Sequence, residues 1–232
     1  MKILLCFFLL TTAITVSQPS TDQLTGKDSN PKNLLDPSTQ SAFNKMHTAA
    51  LKDGIDLKIV SGYRSFTRQR QIWNRKYKKY QTQGLSPDEI FDKIVEYSTV
   101  PGTSRHHWGT DIDIIDQSAS FTGDVLVPHK FHGEGPFCNM KEWMELNAPK
   151  YGFELVYTLN ENRTGFHYEP WHYSYAPLAQ KLLQEYLSEN DFLNFLRTQN
   201  IMGMKDISNT RLLRYYKEHI QGVNPNLLLN KN

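Results

Sequence analysis

The stretch SRHHWGTDIDI, residues 104–114, places two histidines and two aspartates within eight positions. Gly109 stands between the two pairs, where a turn would bring them together. The residues after Gly109 predict a β-strand, and side chains two apart on a strand point to the same face, so Asp111 and Asp113 share one face. Histidine and carboxylate groups are common ligands of zinc. The stretch therefore predicts a strand that carries a metal site.

A second motif, EPWH at residues 169–172, supplies the groups that the first one lacks. Catalytic zinc sites usually have three protein ligands and leave a fourth position to water. We expect His106, Asp113 and His172 to bind one Zn²⁺ per chain. Glu169, three positions before His172, is then placed to act as the general base that takes a proton from the attacking water.

Other assignments stay open on the residues alone. His107 is an alternative ligand to His106, and Asp111 competes with Asp113. EPWH by itself is also compatible with a core tryptophan beside a surface ion pair. The two motifs together favour the metal site.

The N-terminal residues have the pattern of a secretory signal. Lys2 is followed by an apolar run over residues 3–10 and then by small and polar residues. This run is shorter than the roughly 20 apolar residues that a membrane span needs. We expect residues 1–17 to be a signal peptide and the protein to be exported to the periplasm or cell envelope of a bacterium. Because Cys6 would leave with the signal, Cys138 would have no disulfide partner.

The composition narrows the class of protein. The 232 residues fit one domain of ordinary size with appendages. Hydrophobic residues make up 39% and charged residues 22% of the chain, as is usual for a folded soluble protein. The formal net charge of +2 gives no polycationic field, so we do not expect a nucleic-acid partner. We expect a monomer.

Composition and periodicity divide the chain into four parts. Residues 18–36 are rich in Ser, Thr, Asp, Asn and Pro, which predicts a linker after the signal peptide. Residues 37–180 form the predicted domain, and residues 181–232 a C-terminal helical extension. Helices before and after a set of short strands predict an α+β fold, with a small antiparallel sheet flanked by helices and an added helical segment at the C terminus.

Three motifs in order, SGYRS at 61–65, SRHHWGTDID at 104–113 and EPWH at 169–172, resemble the VanY-like D-alanyl-D-alanine carboxypeptidases. These zinc peptidases are related to the VanX-type dipeptidases and share a metal site with lysostaphin-type peptidases and the hedgehog domain. The family pattern S-x-H-x-x-G-x-A-x-D falls on the second motif, and E-x-W-H on the third. The resemblance spans roughly residues 37–175 and does not cover the tail.

The resemblance implies roles for individual residues. It makes His106 and Asp113, rather than their neighbours, zinc ligands together with His172, and it makes Glu169 the base. It also implies that Arg64, in SGYRS, faces the scissile carbonyl or the substrate carboxylate, since a fixed guanidinium suits either group.

Weaker substrate contacts are expected from Gln69, Ser104 and Trp171. Gln69 matches a glutamine that often follows the SGYRS motif, and the other two belong to the second and third motifs.

One residue departs from the family pattern. Asp111 stands where the pattern has alanine. Its carboxylate either contacts a ligand histidine from behind, perturbs the charge at the metal, or faces solvent.

We therefore expect a zinc-dependent carboxypeptidase that removes a terminal D-alanine from peptidoglycan stem peptides, with either D,D or L,D specificity. An endopeptidase that cleaves cross-links with the same site is one alternative. The other is a non-catalytic zinc-fold binding module, which the presence of Glu169 and Arg64 argues against. Free D-Ala-D-Ala is a cytoplasmic substrate, and the signal peptide argues against it.

Overall fold

A computed structural model describes residues 18–27, 34–188 and 191–229. The predicted signal peptide, residues 1–17, lies outside the described residues. Within these ranges, no helix is long and apolar enough to cross a membrane.

A four-stranded antiparallel sheet lies at the centre of the fold, in the order β1-β2-β4-β3. The strands are β1 (Leu57–Ser61), β2 (Asp111–Asp116), β3 (Phe153–Leu155) and β4 (His172–Tyr175). Every residue of β2 is buried, which suits a central strand covered on both faces. The α+β fold with a small antiparallel sheet is confirmed.

Helices surround this sheet along most of the chain. They are α1 (Thr21–Thr25), α2 (Pro37–Lys52), α3 (Phe66–Gln81), α4 (Pro87–Val95), α5 (Cys138–Asn147), α6 (Ala176–Ser188), α7 (Phe192–Thr198) and α8 (Asn209–Tyr215). Shorter 3₁₀ turns include Arg105–Trp108, and α8 continues into a π-helical turn at Tyr216–Ile220.

Capping residues fix where two of the helices begin. The Ser65 hydroxyl accepts a hydrogen bond from the backbone of Arg68 at the start of α3. At the start of α4, the sequence SPDE at residues 86–89 predicts a capping box with proline at the first helical position, and Ser86 and Glu89 form it reciprocally. These local signals are short-range, and they hold in the folded chain.

Two hydrophobic cores support the sheet. One packs α2 and α5 against the face of the sheet that carries Ile112, Ile114 and Tyr173. The other joins α3, α4 and the C-terminal helices.

The C-terminal residues are not a separate appendage. The predicted boundary at residue 180 falls inside α6, which begins at Ala176 and continues into the predicted extension. The Trp73 indole of α3 donates to the carbonyl of Met202 at 2.9 Å, and Phe91 of α4 packs edge-on against Tyr215. The described part of the tail therefore completes the same core as α3 and α4.

Part of the predicted linker is also packed into the fold. Ser20 and Gln23 form a capping box for α1, and Leu24 is only 2% exposed. The Trp108 indole donates to the carbonyl of Leu24 at 3.0 Å. The backbone N–H of Phe66 donates to the carbonyl of Gly26 at 2.7 Å. The linker prediction is wrong for this stretch, because a single buried leucine anchors an otherwise polar segment.

Candidate metal centre and active site

His106, Asp113 and His172, together the metal triad, converge although they lie far apart in sequence. One ligand atom from each lies within 4.8 Å of the others, and all three residues are buried. His106 Nε2 is 3.4 Å from Asp113 Oδ2, and His172 Nδ1 is 3.7 Å from Asp113 Oδ1. Asp113 and His172 are paired across β2 and β4, so sheet register brings them together.

The turn at Gly109 delivers His106 to the same place. Gly109 has φ +70°, which an L side chain rarely adopts, and a Cβ there would lie 2.9 Å from the backbone nitrogen of Asp36. The chain reverses here between the 3₁₀ turn that carries His106 and the start of β2. The predicted turn is confirmed.

Hydrogen bonds orient the His106 ring. Its Nδ1 lies 2.7 Å from the carbonyl oxygen of Gly62, which can only accept, so Nδ1 is the donor. In the neutral ring, Nε2 is then left with a free lone pair, and it is Nε2 that faces Asp113. This is the arrangement of a ligand histidine.

Charges within the triad are strongly coupled. Burial would raise the pKa of Asp113, but the charges of His106 and His172 bring it down to about 2. Burial would likewise lower the pKa of His172, but the Asp113 charge and hydrogen bonds to Asp111 and Glu169 raise it to about 10. The site therefore favours an ionised carboxylate and a positive charge beside it.

The donor set fits a zinc ion. Asp113 Oδ1 is buried and has no hydrogen-bond partner among the described residues, which is rare for a carboxylate oxygen. Two imidazole nitrogens and one carboxylate are ligands that zinc takes readily, and three protein ligands leave a position open for water. A bound cation would satisfy the orphaned oxygen.

Glu169 lies directly beside the triad. Its Oε2 is 2.9 Å from His172 Nδ1, and its side chain is 14% exposed. The backbone fixes the segment on both sides, because the Glu169 N–H donates to Tyr157 O and the His172 N–H donates to Glu169 O. A carboxylate is thus held where the metal and the substrate would meet.

Arg64 is held near the triad by two hydrogen bonds. Its Nη2 donates to Ser61 Oγ at 2.7 Å and its Nη1 donates to Gln69 Oε1 at 3.1 Å. Nη2 also lies 4.0 Å from Asp113 Oδ2. Burial lowers the pKa of Arg64 and the charges of Asp113 and Glu169 raise it, but an arginine remains protonated at any physiological pH.

The predicted substrate contact of Gln69 is wrong. Gln69 is completely buried, and its amide nitrogen donates to the carbonyl of Thr99 at 2.7 Å while its oxygen accepts from Arg64. The residue therefore fixes the guanidinium of Arg64 and cannot reach a ligand.

A cavity of about 450 Å³ opens over the triad, and Arg64, Ser104, Glu169 and Trp171 line it as well. Ser104 is 1% and Trp171 6% exposed, so each offers only an edge to this space.

Further cavity walls come from residues that the sequence analysis missed. They include Tyr157, Phe166 and four loop residues, Asp124, Leu126, Val127 and Pro128. They follow no motif, and only their place near the ligands in the folded chain reveals them.

His107 is excluded as a ligand by its own contacts. Its Nδ1 donates to the carbonyl of Arg64, and its Nε2 accepts from the backbone N–H of Gly102 at 3.1 Å. Complete burial lowers the pKa of His107 to about 3, so the ring is neutral. Both nitrogens are used to tie three chain segments together.

Asp111 does not face solvent. Its side chain is fully buried, and Oδ2 accepts from Arg105 Nε at 2.9 Å and from His172 Nε2 at 3.0 Å. The alternative of a contact behind a ligand histidine is therefore the one that the structure realises.

Fold and site together define a metallopeptidase-type centre, with a buried His–Asp–His triad flanked by a glutamate and an arginine. The profile of the VanY family, described as D-alanyl-D-alanine carboxypeptidase, matches residues 32–178. The chain belongs to this family, which confirms the resemblance found in the three motifs.

Relatives with known names agree with this assignment. The putative carboxypeptidase YodJ of Bacillus subtilis (strain 168) is 32% identical over 156 residues, which cover 66% of this chain and 51% of that protein. A D-alanyl-D-alanine carboxypeptidase of Enterococcus faecalis is 28% identical over 163 residues, or 69% of this chain and 54% of that protein. The chain spans about half the length of the curated relatives it matches.

A solved structure of a vancomycin-resistance D,D-pentapeptidase VanY variant in complex with Zn(II) is also similar. It is 24% identical, with a TM-score of 0.49, and the match covers 66% of this chain and 78% of that one.

Proposed function

We propose that the protein is a zinc-dependent carboxypeptidase that removes a terminal D-alanine from peptidoglycan stem peptides. The observation that carries the proposal is that the metal triad, Glu169 and Arg64 all line one cavity of about 450 Å³. The enterococcal relative, named as a D-alanyl-D-alanine carboxypeptidase, supports the substrate class. Either a D,D- or an L,D-linked terminal residue fits this proposal.

The triad would hold the metal through His106 Nε2, His172 Nδ1 and an Asp113 oxygen. When bound, Zn²⁺ supplies Lewis-acid polarisation of the scissile carbonyl and lowers the pKa of the attacking water. Glu169 accepts a proton from that water and passes it to the amine that leaves as the C–N bond breaks. The water oxygen becomes part of the new carboxylate of the shortened peptide, and the released D-alanine carries the new amine.

Arg64 stabilises negative charge in the same cavity as Glu169. Because Ser61 and Gln69 fix the guanidinium before substrate arrives, little reorganisation is needed to bind an oxyanion or a terminal carboxylate. Ser104 and Trp171 contribute the edges that shape the cavity around the peptide. Retention of both Glu169 and Arg64 argues against a non-catalytic binding module.

We also propose that residues 1–17 direct export and that the mature protein works as a monomer in the bacterial envelope, where peptidoglycan lies. The triad, Glu169 and Arg64 all belong to one chain, so a single copy carries a whole site. The mass of the mature protein isolated from the envelope identifies the position at which the signal peptide is cleaved. Recovery of the full-length chain in the cytoplasm would contradict export.

The test of the activity uses three substrates and two variants. Zinc-loaded protein is incubated with muropeptides ending in D-Ala-D-Ala, with muropeptides ending in one D-Ala, and with cross-linked dimers, and the products are read by mass. We expect release of one alanine from one of the first two. Glu169→Gln should abolish release while zinc stays near one per chain, and Glu161→Gln, an exposed glutamate on a nearby turn, should not. Cleavage of the dimers alone would identify an endopeptidase, and zinc binding without any cleavage would favour a binding role.

A further inference from the structure

The residue that departs from the family pattern lies at the centre of a buried polar network. Asp111 and Asp113 on β2 face His172 and Ser174 on β4, and the register pairs Asp113 with His172 and Asp111 with Ser174. These four side chains share one face of the sheet. Asp111 thus lies diagonally behind the ligand histidine, on the side away from Glu169.

Both carboxylate oxygens of Asp111 are fully used. Oδ2 accepts from Arg105 Nε at 2.9 Å and from His172 Nε2 at 3.0 Å. Oδ1 accepts from the hydroxyls of Thr110 and Ser174, at 3.0 and 2.5 Å. Four hydrogen bonds hold the Asp111 carboxylate in a single orientation, and the carboxylate in turn fixes the orientation of the side chains that it contacts.

Arg105 compensates the charge of Asp111. The guanidinium is 5% exposed, donates through Nη2 to Ser174 at 2.8 Å, and lies 4.8 Å from the centroid of the Trp108 ring. A buried carboxylate without a cation would be costly, whereas the pair is neutral as a unit. The pair therefore adds no net charge beside the triad.

We propose that Asp111, neutralised by Arg105, is a positioning residue that holds His172 with its Nε2–H pointing away from the metal and its Nδ1 pointing towards it. The alanine of the family pattern cannot accept this hydrogen bond. The Arg105–Asp111 pair is thus this chain's own device for fixing the tautomer and the ring plane of one zinc ligand. A carboxylate behind a ligand histidine also increases the basicity of the ligating nitrogen. This inference rests on the proposed zinc site.

The test separates ligand positioning from a general contribution to folding. The dissociation constant for zinc is measured by chelator competition, and the free energy of unfolding is measured on metal-free protein. The variants are Asp111→Ala, the double variant Arg105→Met/Asp111→Ala, which removes the whole ion pair, and Asp116→Ala. Asp116 is a matched control, because it is a buried β2 carboxylate whose hydrogen bonds go to Asp56 and Ser118.

We expect Asp111→Ala to weaken zinc binding by about 10- to 100-fold. The double variant should regain stability, since no unpaired arginine remains buried, yet bind zinc as weakly as the single variant. Asp116→Ala should lose stability and keep its zinc affinity within about twofold. In the zinc-loaded wild-type protein, ¹⁵N NMR of the histidine rings should place the His172 proton on Nε2.

The following outcomes would overturn the inference, and one of them would also overturn the proposed function. Zinc affinity of the double variant within about twofold of wild type, or a His172 proton on Nδ1, would reduce Asp111 to a folding role. Wild-type protein that takes up no zinc would sink the proposed function together with this inference. Zinc uptake by wild type with unchanged affinity in both Asp111 variants would sink this inference alone.

Discussion

At the scale of single residues, the two hydrogen bonds of Arg64 decide what can replace it. Arg64 donates them from two different nitrogens, from Nη2 to Ser61 and from Nη1 to Gln69. A lysine has one terminal nitrogen and cannot make both bonds while facing the cavity. The charge would remain, but its position would not.

Arg64→Lys should therefore lower kcat/KM by about 10²- to 10³-fold, the usual cost of losing one preorganised donor to an oxyanion. Zinc content should stay near that of wild type, since Arg64 lies 4.0 Å from the Asp113 oxygen and is not a ligand. Arg68→Lys, one turn along α3 and exposed, is the matched control and should have no effect. Steady-state kinetics on the preferred muropeptide measure both variants. A kcat/KM of Arg64→Lys equal to that of wild type would contradict the role of Arg64.

At the scale of elements, the turn before β2 depends on a glycine for two reasons. Gly109 combines φ +70° with a backbone neighbour 2.9 Å from where a Cβ would lie. Gly54 has φ +81°, but no described atom lies within 4 Å of where its Cβ would be, so it has the positive φ without the close neighbour.

Gly54→Ala should cost about 1–2 kcal/mol in the free energy of unfolding, the price of a left-handed alanine. Gly109→Ala should cost more, because the chain must also move away from Asp36, and it should weaken zinc binding since the same turn places His106. Urea unfolding of metal-free protein and chelator competition measure the two effects. Equal losses at the two positions would show that the contact with Asp36 is relieved without strain.

The π-helical turn after α8 carries a histidine in an apolar setting. The His219 ring lies 4.9 Å from the rings of both Phe166 and Tyr215, and within the part of the chain that the structure describes its buried Nδ1 has no hydrogen-bond partner. Burial, assisted by the charge of Arg214, lowers the pKa of His219 to about 4.

The unfolded chain therefore binds a proton at His219 below about pH 6.5, whereas the folded chain does not until about pH 4. The contribution of neutral His219 to the free energy of unfolding is fully present above pH 6.5, and it is lost as the pH falls from 6.5 towards 4. Replacement by glutamine, His219→Gln, should flatten the dependence of unfolding free energy on pH between 6.5 and 4. The exposed control His129→Gln should leave the slope as it is in wild type. A slope in His219→Gln equal to that of wild type would contradict the assignment.

At the scale of the whole molecule, the C-terminal helices hold the loop that leads to the site. Tyr186 donates to the carbonyl of Gly102 at 3.0 Å. The Tyr215 hydroxyl accepts from the backbone N–H of Val100 at 3.1 Å and lies 2.8 Å from the hydroxyl of Thr103. The chain enters the 3₁₀ turn that carries His106 directly after this loop.

Tyr215→Phe should reduce the free energy of unfolding by about 1–3 kcal/mol, because it leaves the buried Val100 N–H without an acceptor. The half-buried Tyr80 is a suitable comparison, and Tyr80→Phe should change stability by less than about 0.5 kcal/mol. Thermal and urea unfolding measure both. Equal stability of Tyr215→Phe and wild type would mean that the loop finds another acceptor.

The sequence predicts the parts of this protein that local chemistry determines. The capping box at Ser86, the turn at Gly109 and the family motifs could all be recognised, because each depends on residues a few positions apart. The burial of Gln69 and the pairing of Arg105 with Asp111 depend on which segments meet in space. The packing of the tail depends on the same long-range contacts, so it could not be predicted from composition.

The hydrogen bonds between the C-terminal helices and the loop over residues 100–103 also set an order of events during synthesis of the chain. Val100 and Tyr215 are separated by 115 positions. At roughly 5–20 residues per second, a ribosome needs on the order of 10 s to pass from one to the other. For most of that interval His106 and Asp113 already exist, but His172 is made only late in it, and the loop before His106 still lacks the hydroxyls that fix it. Synthesis of the ligands and their final placement are therefore separate in time, and full affinity for zinc should arise only after the tail has emerged.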